Sequence, residues 1–300
     1  MVICPMSPTL AAPKDKRLPL LALLAGGMAI GGSPIFVRLS EVGPSATAFW
    51  RLALAMIPLT LYALVRQRSA LVLPRTLSDY VSLVFPGLFL AGDLICWHLS
   101  IHMTSIANAT LLINLSPVFV TFGAWLLFRT PITRQFMLGL VVAVLGVMVL
   151  KSEGATGLGA GNWRGDVVAI IGAVFYAGYM LALGLARNRF ETLQIMLWNT
   201  GVAALCILPV ALVSEPVLFP PSAHGWALVA GLAMISHVGG QASIIYALAY
   251  LPTAFSALTL LLQPVVASLL GVMLLNEHIG IQAVIGGAGV LAGILIARRT

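Results

Sequence analysis

Several polar and ionisable side chains lie within a long apolar run at 80–102, where they are spaced as on one helix. At intervals of three and four residues they form two neighbouring stripes, with Asp93, Trp97, Ser100 and Thr104 on the first and His98 and His102 on the second. Such groups in apolar surroundings usually face a cavity or a polar partner. We therefore predict that Trp97 and His98 bind a small polar ligand. Asp93 could face this cavity as well. The alternative is that it pairs with another helix through Arg51.

The two histidines of this run are also four residues apart, which is the spacing of a metal-binding helix. A catalytic zinc helix of the HExxH type has Glu directly after its first His, whereas this sequence has Leu99 there. The cysteines Cys4, Cys96 and Cys206 show no metal-ligand spacing. The sequence therefore predicts neither a metal site nor a cofactor.

Two further apolar runs, one in each half of the chain, combine amide and hydroxyl side chains with a proline. Asn114 precedes Pro117 in the first run, and Gln263 precedes Pro264 in the second. Proline removes a backbone donor and frees a carbonyl group, which is tolerated where neighbours or cavity water satisfy that group. We therefore predict that Asn114 and Gln263 line a common site, with hydrogen bonding from helix to helix as the alternative.

Three other polar side chains are predicted to face the same site. Ser33 follows two glycines at a proline-interrupted stretch, although Gly26, Gly27 and Gly31 could equally allow close helix packing. Tyr179 lies in the middle of an apolar run, where its ring could stack on an aromatic ligand. Gln241 lies on a run that also carries His237.

The elements that carry these residues follow from the composition. The 300 residues include 16 basic and 9 acidic side chains, which is 8% charged against 60% hydrophobic, and the mean hydropathy is +1.04. A soluble domain has roughly 25% charged residues, so a soluble enzyme, a nucleic-acid-binding module and a disordered chain are excluded. A membrane-spanning helix needs about 20 apolar residues. Ten candidate spans fit the chain, at about 18–38, 46–65, 80–102, 105–128, 133–150, 166–186, 193–213, 225–249, 254–275 and 281–297.

The basic residues indicate the orientation of these ten helices. If the N-terminus lies inside, twelve of the 16 Lys and Arg residues fall in inner segments and three in outer segments. Cytoplasmic segments of membrane proteins carry such an excess. We therefore expect a multi-pass protein of the inner (plasma) membrane with both termini cytoplasmic, and residues 1–17 as a disordered tail. The net charge of +7 then reflects topology and does not indicate nucleic-acid binding.

The chain also contains an internal repeat. An offset of 147 aligns 107–150 with 254–297 without a gap and gives ten identities in 44 positions. Each half has five spans, so the second copy must enter the membrane from the opposite side. We predict an all-α polytopic membrane protein whose ten transmembrane helices form two inverted-topology five-helix repeats, an arrangement typical of secondary transporters. The predicted boundaries are 18–151 for the first repeat, 152–164 for a linker and 165–298 for the second repeat.

The sequence resembles the ten-helix, EamA-type transporters of the drug/metabolite transporter superfamily. The strongest stretches are Ser105–Phe128 and Tyr246–Ala297, in which Glu277 matches the usual end of the repeat. The first repeat of the family commonly has Glu at the corresponding position, whereas this sequence has Thr130. No transport role is therefore assigned to Glu277. The stretch Trp97–Ala109 looks most like the YddG-type branch, which exports aromatic and other amino acids.

These features predict a secondary transporter that exports small metabolites, amino acids above all, by alternating access, and not an enzyme. Amide, hydroxyl and imidazole groups can hold an ammonium and a carboxylate group through neutral dipoles. Other metabolites or drugs are alternative substrates. A site for large anions would be expected to contain further Lys or Arg side chains besides Arg51. A polytopic membrane enzyme and a channel are alternatives from other classes, although no HExxH or GxSxG motif is present. We expect a monomer whose partners are its substrate and the lipid bilayer, and no nucleic acid.

Overall fold

The computed structural model describes residues 17–71, 73–104, 106–129, 131–151, 163–275 and 280–298, and within these ranges all regular structure is helical. Nearly all of the predicted tail and linker lies outside the described residues, as does Glu277. The ten main helices, numbered in chain order, are α1 Arg17–Leu39, α2 Pro44–Arg66, α3 Leu77–Met103, α4 Ile106–Ile113 with Ser116–Phe128, α5 Arg134–Lys151, α6 Trp163–Arg187, α7 Thr192–Ser214, α8 Ala223–Ala247, α9 Thr253–Thr259 with Leu262–Leu275, and α10 Ile281–Arg298.

The outer surface of the bundle is apolar. Within the described residues, nine helices are long and apolar enough to cross a bilayer, and α5 is a shorter apolar helix. Large side chains such as Val213, which is 89% exposed, and Leu77, which is 80% exposed, point away from the protein. Lipid tails solvate such a surface, and helices satisfy their own backbone hydrogen bonds within lipid. The predicted all-α multi-pass membrane protein is thus confirmed.

Helices α4 and α9 are interrupted at corresponding places, just ahead of Pro117 and Pro264. The carbonyl oxygen of Pro117 accepts a hydrogen bond from Thr121 Oγ1 (2.7 Å), and that of Pro264 accepts one from Ser268 Oγ (2.9 Å). Hydroxyl groups that bond back to a carbonyl four residues earlier often bend a helix. The two breaks are therefore built alike in the two halves of the chain.

Helix α1 packs closely against α8 and α9 through its glycines. A Cβ atom added at Gly26 would lie 2.7 Å from the carbonyl oxygen of Gly240, and one added at Gly31 would lie 3.0 Å from that of Gln263. Helix α8 opens into a π-helical turn over Leu232–Gln241 where it meets α1. Of the two roles considered for the glycines before Ser33, the structure favours close helix packing.

Helices α5 and α10 run antiparallel with their backbones in contact. A Cβ atom added at Gly139 would lie 2.6 Å from the carbonyl oxygen of Gly293, and one added at Gly146 would lie 2.8 Å from that of Gly286. In the offset of 147, Gly139 corresponds to Gly286 and Gly146 to Gly293. Each helix therefore meets its own counterpart in the opposite direction, as an inverted repeat predicts. We call this contact the glycine seam.

The two halves of the chain interleave throughout the bundle. Helix α1 packs on α8, and α6 packs on α3, and these two pairs are equivalent under the repeat. Helix α2 packs on its counterpart α7, and α4 packs on its counterpart α9. One approximate two-fold relation thus describes the contacts between the halves and leaves the broken helices facing each other.

Polar contacts tie the halves together at both ends of the bundle. At one end, Glu215 Oε1 accepts a hydrogen bond from the Ser45 amide (3.0 Å), and Glu41 Oε1 accepts one from the Ser222 hydroxyl (2.6 Å). Both contacts join a residue of the first half to a residue of the second. We name these four residues the carboxylate clasp.

The opposite end carries a different set of contacts. Arg189 Nη2 lies 2.5 Å from Asp79 Oδ1 in an ion pair, and Gln67 donates to the Glu191 carboxylate. We name these four residues the arginine clasp. In the offset of 148 that aligns the front of each half, Arg189 stands where the first half has Glu41. The clasps occupy equivalent places, but a basic side chain in one stands where the other has an acidic one.

Candidate functional site

A cavity of about 180 Å³ lies at the centre of the bundle, beside the breaks in α4 and α9. Its wall contains residues of α1, α2, α3, α4, α6, α8 and α9, so both halves of the chain contribute to it. That these residues bind a substrate stays a prediction. Five of the seven residues predicted from the sequence line the cavity: Trp97, Asn114, Tyr179, Gln241 and Gln263.

Of the other two predicted residues, one lies outside the described side chains and one is absent from the cavity wall. The side chain of His98 lies outside the described part of the structure. Ser33 is buried on α1, and its hydroxyl group has no hydrogen-bond partner among the described residues. It is not one of the residues that line the cavity.

Tyr179 is held by a buried network that joins α6, α7 and α8. Its hydroxyl accepts hydrogen bonds from Asn199 Nδ2 (3.3 Å) and from the Gln241 amide. Beside them, Thr200 Oγ1 and His237 Nε2 lie 2.8 Å apart. All five side chains are buried, so this network fixes the position of the Tyr179 ring at the cavity wall. The sequence offered little sign of Asn199 and Thr200, because single polar residues in an apolar run do not reveal which helix they face.

Asn114 and Gln263 lie at the two helix breaks. Asn114 Nδ2 donates to the carbonyl oxygen of Thr110 on its own helix (2.7 Å). Gln263 on α9 lines the cavity together with Tyr176 on α6. Tyr176 itself is a further cavity residue that the sequence analysis did not select.

Two charged side chains, Arg51 on α2 and Asp93 on α3, also line the cavity. Arg51 Nε and Asp93 Oδ1 are both buried and have no hydrogen-bond partner within the described part of the structure. The two side chains are not joined by an ion pair within 4.0 Å, unlike Arg189 and Asp79. Their signal in the sequence was a charge inside an apolar run, which left a structural and a functional role open. Among the described residues, no three His, Cys, Asp or Glu side chains are grouped so that they could hold a metal ion.

A second cavity of about 610 Å³ opens at the end of the bundle where α1 begins and α10 ends. Its wall is mostly apolar, and Arg17 and Arg298 contribute charged groups. Thr121, which bonds back to Pro117, also lines it. Because Pro117 lines the central cavity, the two cavities lie about one helical turn apart along α4.

Both halves of the chain match a known protein family. A model of the EamA-like transporter family matches residues 17–152 and, a second time, residues 163–299. The pseudopaline exporter CntI of Pseudomonas aeruginosa is 28% identical over 222 residues, which cover 73% of this chain and 74% of that protein. A probable terminal-alkyne amino-acid exporter of Streptantibioticus cattleyicolor is 29% identical over 203 residues, or 64% of each chain. One solved crystal structure shares the fold, with a TM-score of 0.81 and 18% identity over 94% of this chain and 98% of that chain.

Proposed function

Because the chain belongs to the EamA-like transporter family, we propose that it exports amino acids, aromatic ones among them, by alternating access. The family lies within the drug/metabolite transporter superfamily, whose members carry solutes across membranes. One observation carries the proposal: two broken helices from opposite halves place amide side chains at a small central cavity. Discontinuous helices of this kind form the midplane substrate sites of secondary transporters.

The size and chemistry of the cavity support a small polar substrate. Its volume of about 180 Å³ is below the roughly 300–1,000 Å³ of pockets that take drug-sized ligands. The wall combines the rings of Trp97, Tyr176 and Tyr179 with the amides of Asn114 and Gln263. An aromatic amino acid offers a ring for the first set and hydrogen-bonding groups for the second. The name of the relative from Streptantibioticus cattleyicolor points to the same class of substrate.

Alternating access follows from the repeat. Two similar halves of opposite orientation can exchange their conformations, which opens the central cavity first to one side and then to the other. The clasps lie where such an exchange would open and close the bundle, because each joins the two halves at one end. The larger cavity beyond Thr121 then serves as the route by which substrate enters from the cytoplasm.

We further propose that both termini are cytoplasmic and that the protein lies in the inner membrane. The distribution of Lys and Arg supports this orientation. In a cysteine-free variant, Pro221→Cys between α7 and α8 should react with a membrane-impermeant maleimide in intact cells. Arg68→Cys between α2 and α3 should react only after the membrane is opened. The reverse pattern would overturn the orientation.

Counterflow in proteoliposomes tests the transport activity. Unlabelled phenylalanine inside the vesicles should drive the uptake of labelled phenylalanine above its equilibrium level, and the uptake should saturate. Gln263→Ala should reduce this uptake about three- to tenfold, because the site loses one polar contact. Gln282→Ala on the exposed face of α10 is the matched control and should transport normally. If no common amino acid gives saturable counterflow, the proposal is wrong.

A further inference from the structure

The cavity is lined by one arginine and one aspartate that the protein leaves incompletely paired. Arg51 Nε and Asp93 Oδ1 are both buried, and no other described residue forms a hydrogen bond with either atom. Burying a charged group without its hydrogen bonds is expensive, and such groups usually find a partner. Both residues line the central cavity, so a bound molecule can supply the missing contacts.

The neighbouring side chains do not fill this role. The Tyr179 hydroxyl accepts from Asn199 and Gln241, and no side chain among the described residues bonds to Arg51 Nε or Asp93 Oδ1. No ion pair within 4.0 Å joins Arg51 to Asp93, although both line the same cavity. The cavity therefore presents a cation and a carboxylate that are close but separate.

We propose that Arg51 binds the carboxylate group and Asp93 the ammonium group of a zwitterionic α-amino acid. This inference rests on the proposed function. It names the residues that bind the two charged groups of an amino-acid substrate. A guanidinium group binds a carboxylate through two parallel hydrogen bonds, and a carboxylate accepts strong hydrogen bonds from an ammonium group. Arg51 and Asp93 lie on neighbouring helices of one half, so both can reach the same small molecule in the cavity.

The pair of charges selects against molecules that carry only one of the two groups. An amine would leave Arg51 buried without an anion, and a carboxylic acid would leave Asp93 buried without a cation. Sites with buried polar groups reject ligands that leave those groups unpaired. We expect phenethylamine and 3-phenylpropionate, which are phenylalanine without its carboxylate and without its ammonium group, to bind at least about tenfold more weakly than phenylalanine.

Ligand binding to the purified full chain tests this inference independently of transport. Each of the three compounds is titrated while the melting temperature of the detergent-solubilised protein is followed, because a ligand stabilises the state that it binds. Arg51→Gln should reduce the ratio of the affinity for phenylalanine to the affinity for phenethylamine at least about fivefold. The ratio of the affinity for phenylalanine to that for 3-phenylpropionate should not change. Asp93→Asn should do the reverse. Arg51→Lys and Asp93→Glu keep the charges and serve as second variants if the first do not fold.

The outcomes separate the two proposals. Equal binding of the three compounds to the unchanged protein would overturn the inference, even if phenylalanine is transported. An equal loss of affinity for all three compounds in both variants would also overturn it, because a purely structural role predicts that result. Selective binding of phenylalanine without counterflow would support the assignment of Arg51 and Asp93 and overturn the proposed transport activity.

Discussion

The hydroxyl group of Tyr179 is the point at which the packing of three helices and the wall of the cavity coincide. It accepts from Asn199 on α7 and from Gln241 on α8, while the tyrosine itself belongs to α6. Without this acceptor, two buried amide groups would lose a partner at the same time. The stability of this region and the position of the ring therefore depend on one oxygen atom.

Replacing Tyr179 by Phe should destabilise the protein and weaken transport together. The unpaired amides should lower the free energy of unfolding by about 1–3 kcal/mol. Tyr62→Phe is the matched control, because Tyr62 is 57% exposed on the outside of α2. Thermal unfolding in detergent and phenylalanine counterflow measure the two effects. A Tyr179→Phe variant as stable as Tyr62→Phe would contradict the network.

At the residue scale, the sequence predicted the types of side chain better than their partners. We could choose Trp97, Asn114 and Gln263 because a polar or amphipathic side chain in an apolar run usually faces a cavity or a polar partner. The position of Ser33 away from the cavity could not be foreseen, since it depends on how closely the α1 glycines approach other helices. The environment of Arg51 depends in the same way on which helix faces meet.

Among the helices, α5 and α10 make a contact that small residues alone permit. At the glycine seam the backbones are so close that a methyl group at Gly146 would lie 2.5 Å from the Val290 amide nitrogen. Real Cβ atoms do not approach other atoms this closely, so one helix would have to move. Small residues at such positions favour van der Waals packing in lipid, where the hydrophobic effect does not drive helices together.

We expect Gly146→Ala to destabilise the protein by about 1–3 kcal/mol, as overpacking does elsewhere. The same substitution at Gly201 on α7 is the control, because a Cβ atom there would lie 3.8 Å from the Met56 side chain. Alanine also favours a helix over glycine, so Gly201→Ala should be neutral or stabilising. Unfolding curves of the two variants in detergent make the comparison. Equal stability would show that the seam is looser than described.

At the scale of the helices, the sequence predicted the breaks in α4 and α9 but not the turn in α8. Pro117 and Pro264 fall in register in the repeat, and proline has a known effect on helix hydrogen bonds. The π-helical turn at Leu232–Gln241 contains no proline. It arises where α8 meets α1, so only the packed bundle reveals it.

Across the whole molecule, the clasps place equivalent contacts at opposite ends. The Arg189–Asp79 pair is partly exposed, with 47% and 15% of the two side chains accessible. Exposed pairs of this kind contribute roughly 0–1 kcal/mol. If the protein alternates as proposed, a change of this size at one clasp alters the balance between the two open states by up to about fivefold.

Removal of the arginine clasp should therefore open the central cavity toward that end. A cysteine in place of Ser116, which lines the cavity, reports this opening through its reaction with a membrane-impermeant maleimide. Arg189→Ala should speed the reaction about two- to fivefold in inside-out vesicles and slow it in intact cells. Arg68→Ala is the control, because Arg68 Nε donates to the carbonyl oxygen of Leu64, in the same half of the chain. Equal rates in the two variants would show that this clasp does not hold the bundle closed.

The overall architecture was the most predictable level, because it follows from composition and repetition. Few charges required lipid as the solvent, and the odd number of spans in each half required inverted copies. The clasps could not be predicted, since Glu41 and Arg189 differ in charge and therefore did not stand out in the alignment. Similar geometry with different chemistry is visible only in three dimensions.

The glycine seam has a consequence for the energetics of the transport cycle. When two inverted halves exchange conformations, each contact is replaced by its counterpart, so the carboxylate clasp and the arginine clasp trade environments. The seam is its own counterpart, because Gly139 with Gly293 becomes Gly286 with Gly146. Its free energy is then the same before and after the exchange. Substitutions that strengthen the packing at the glycine seam should raise the melting temperature of the protein. They should not change the balance between its inward-open and outward-open states.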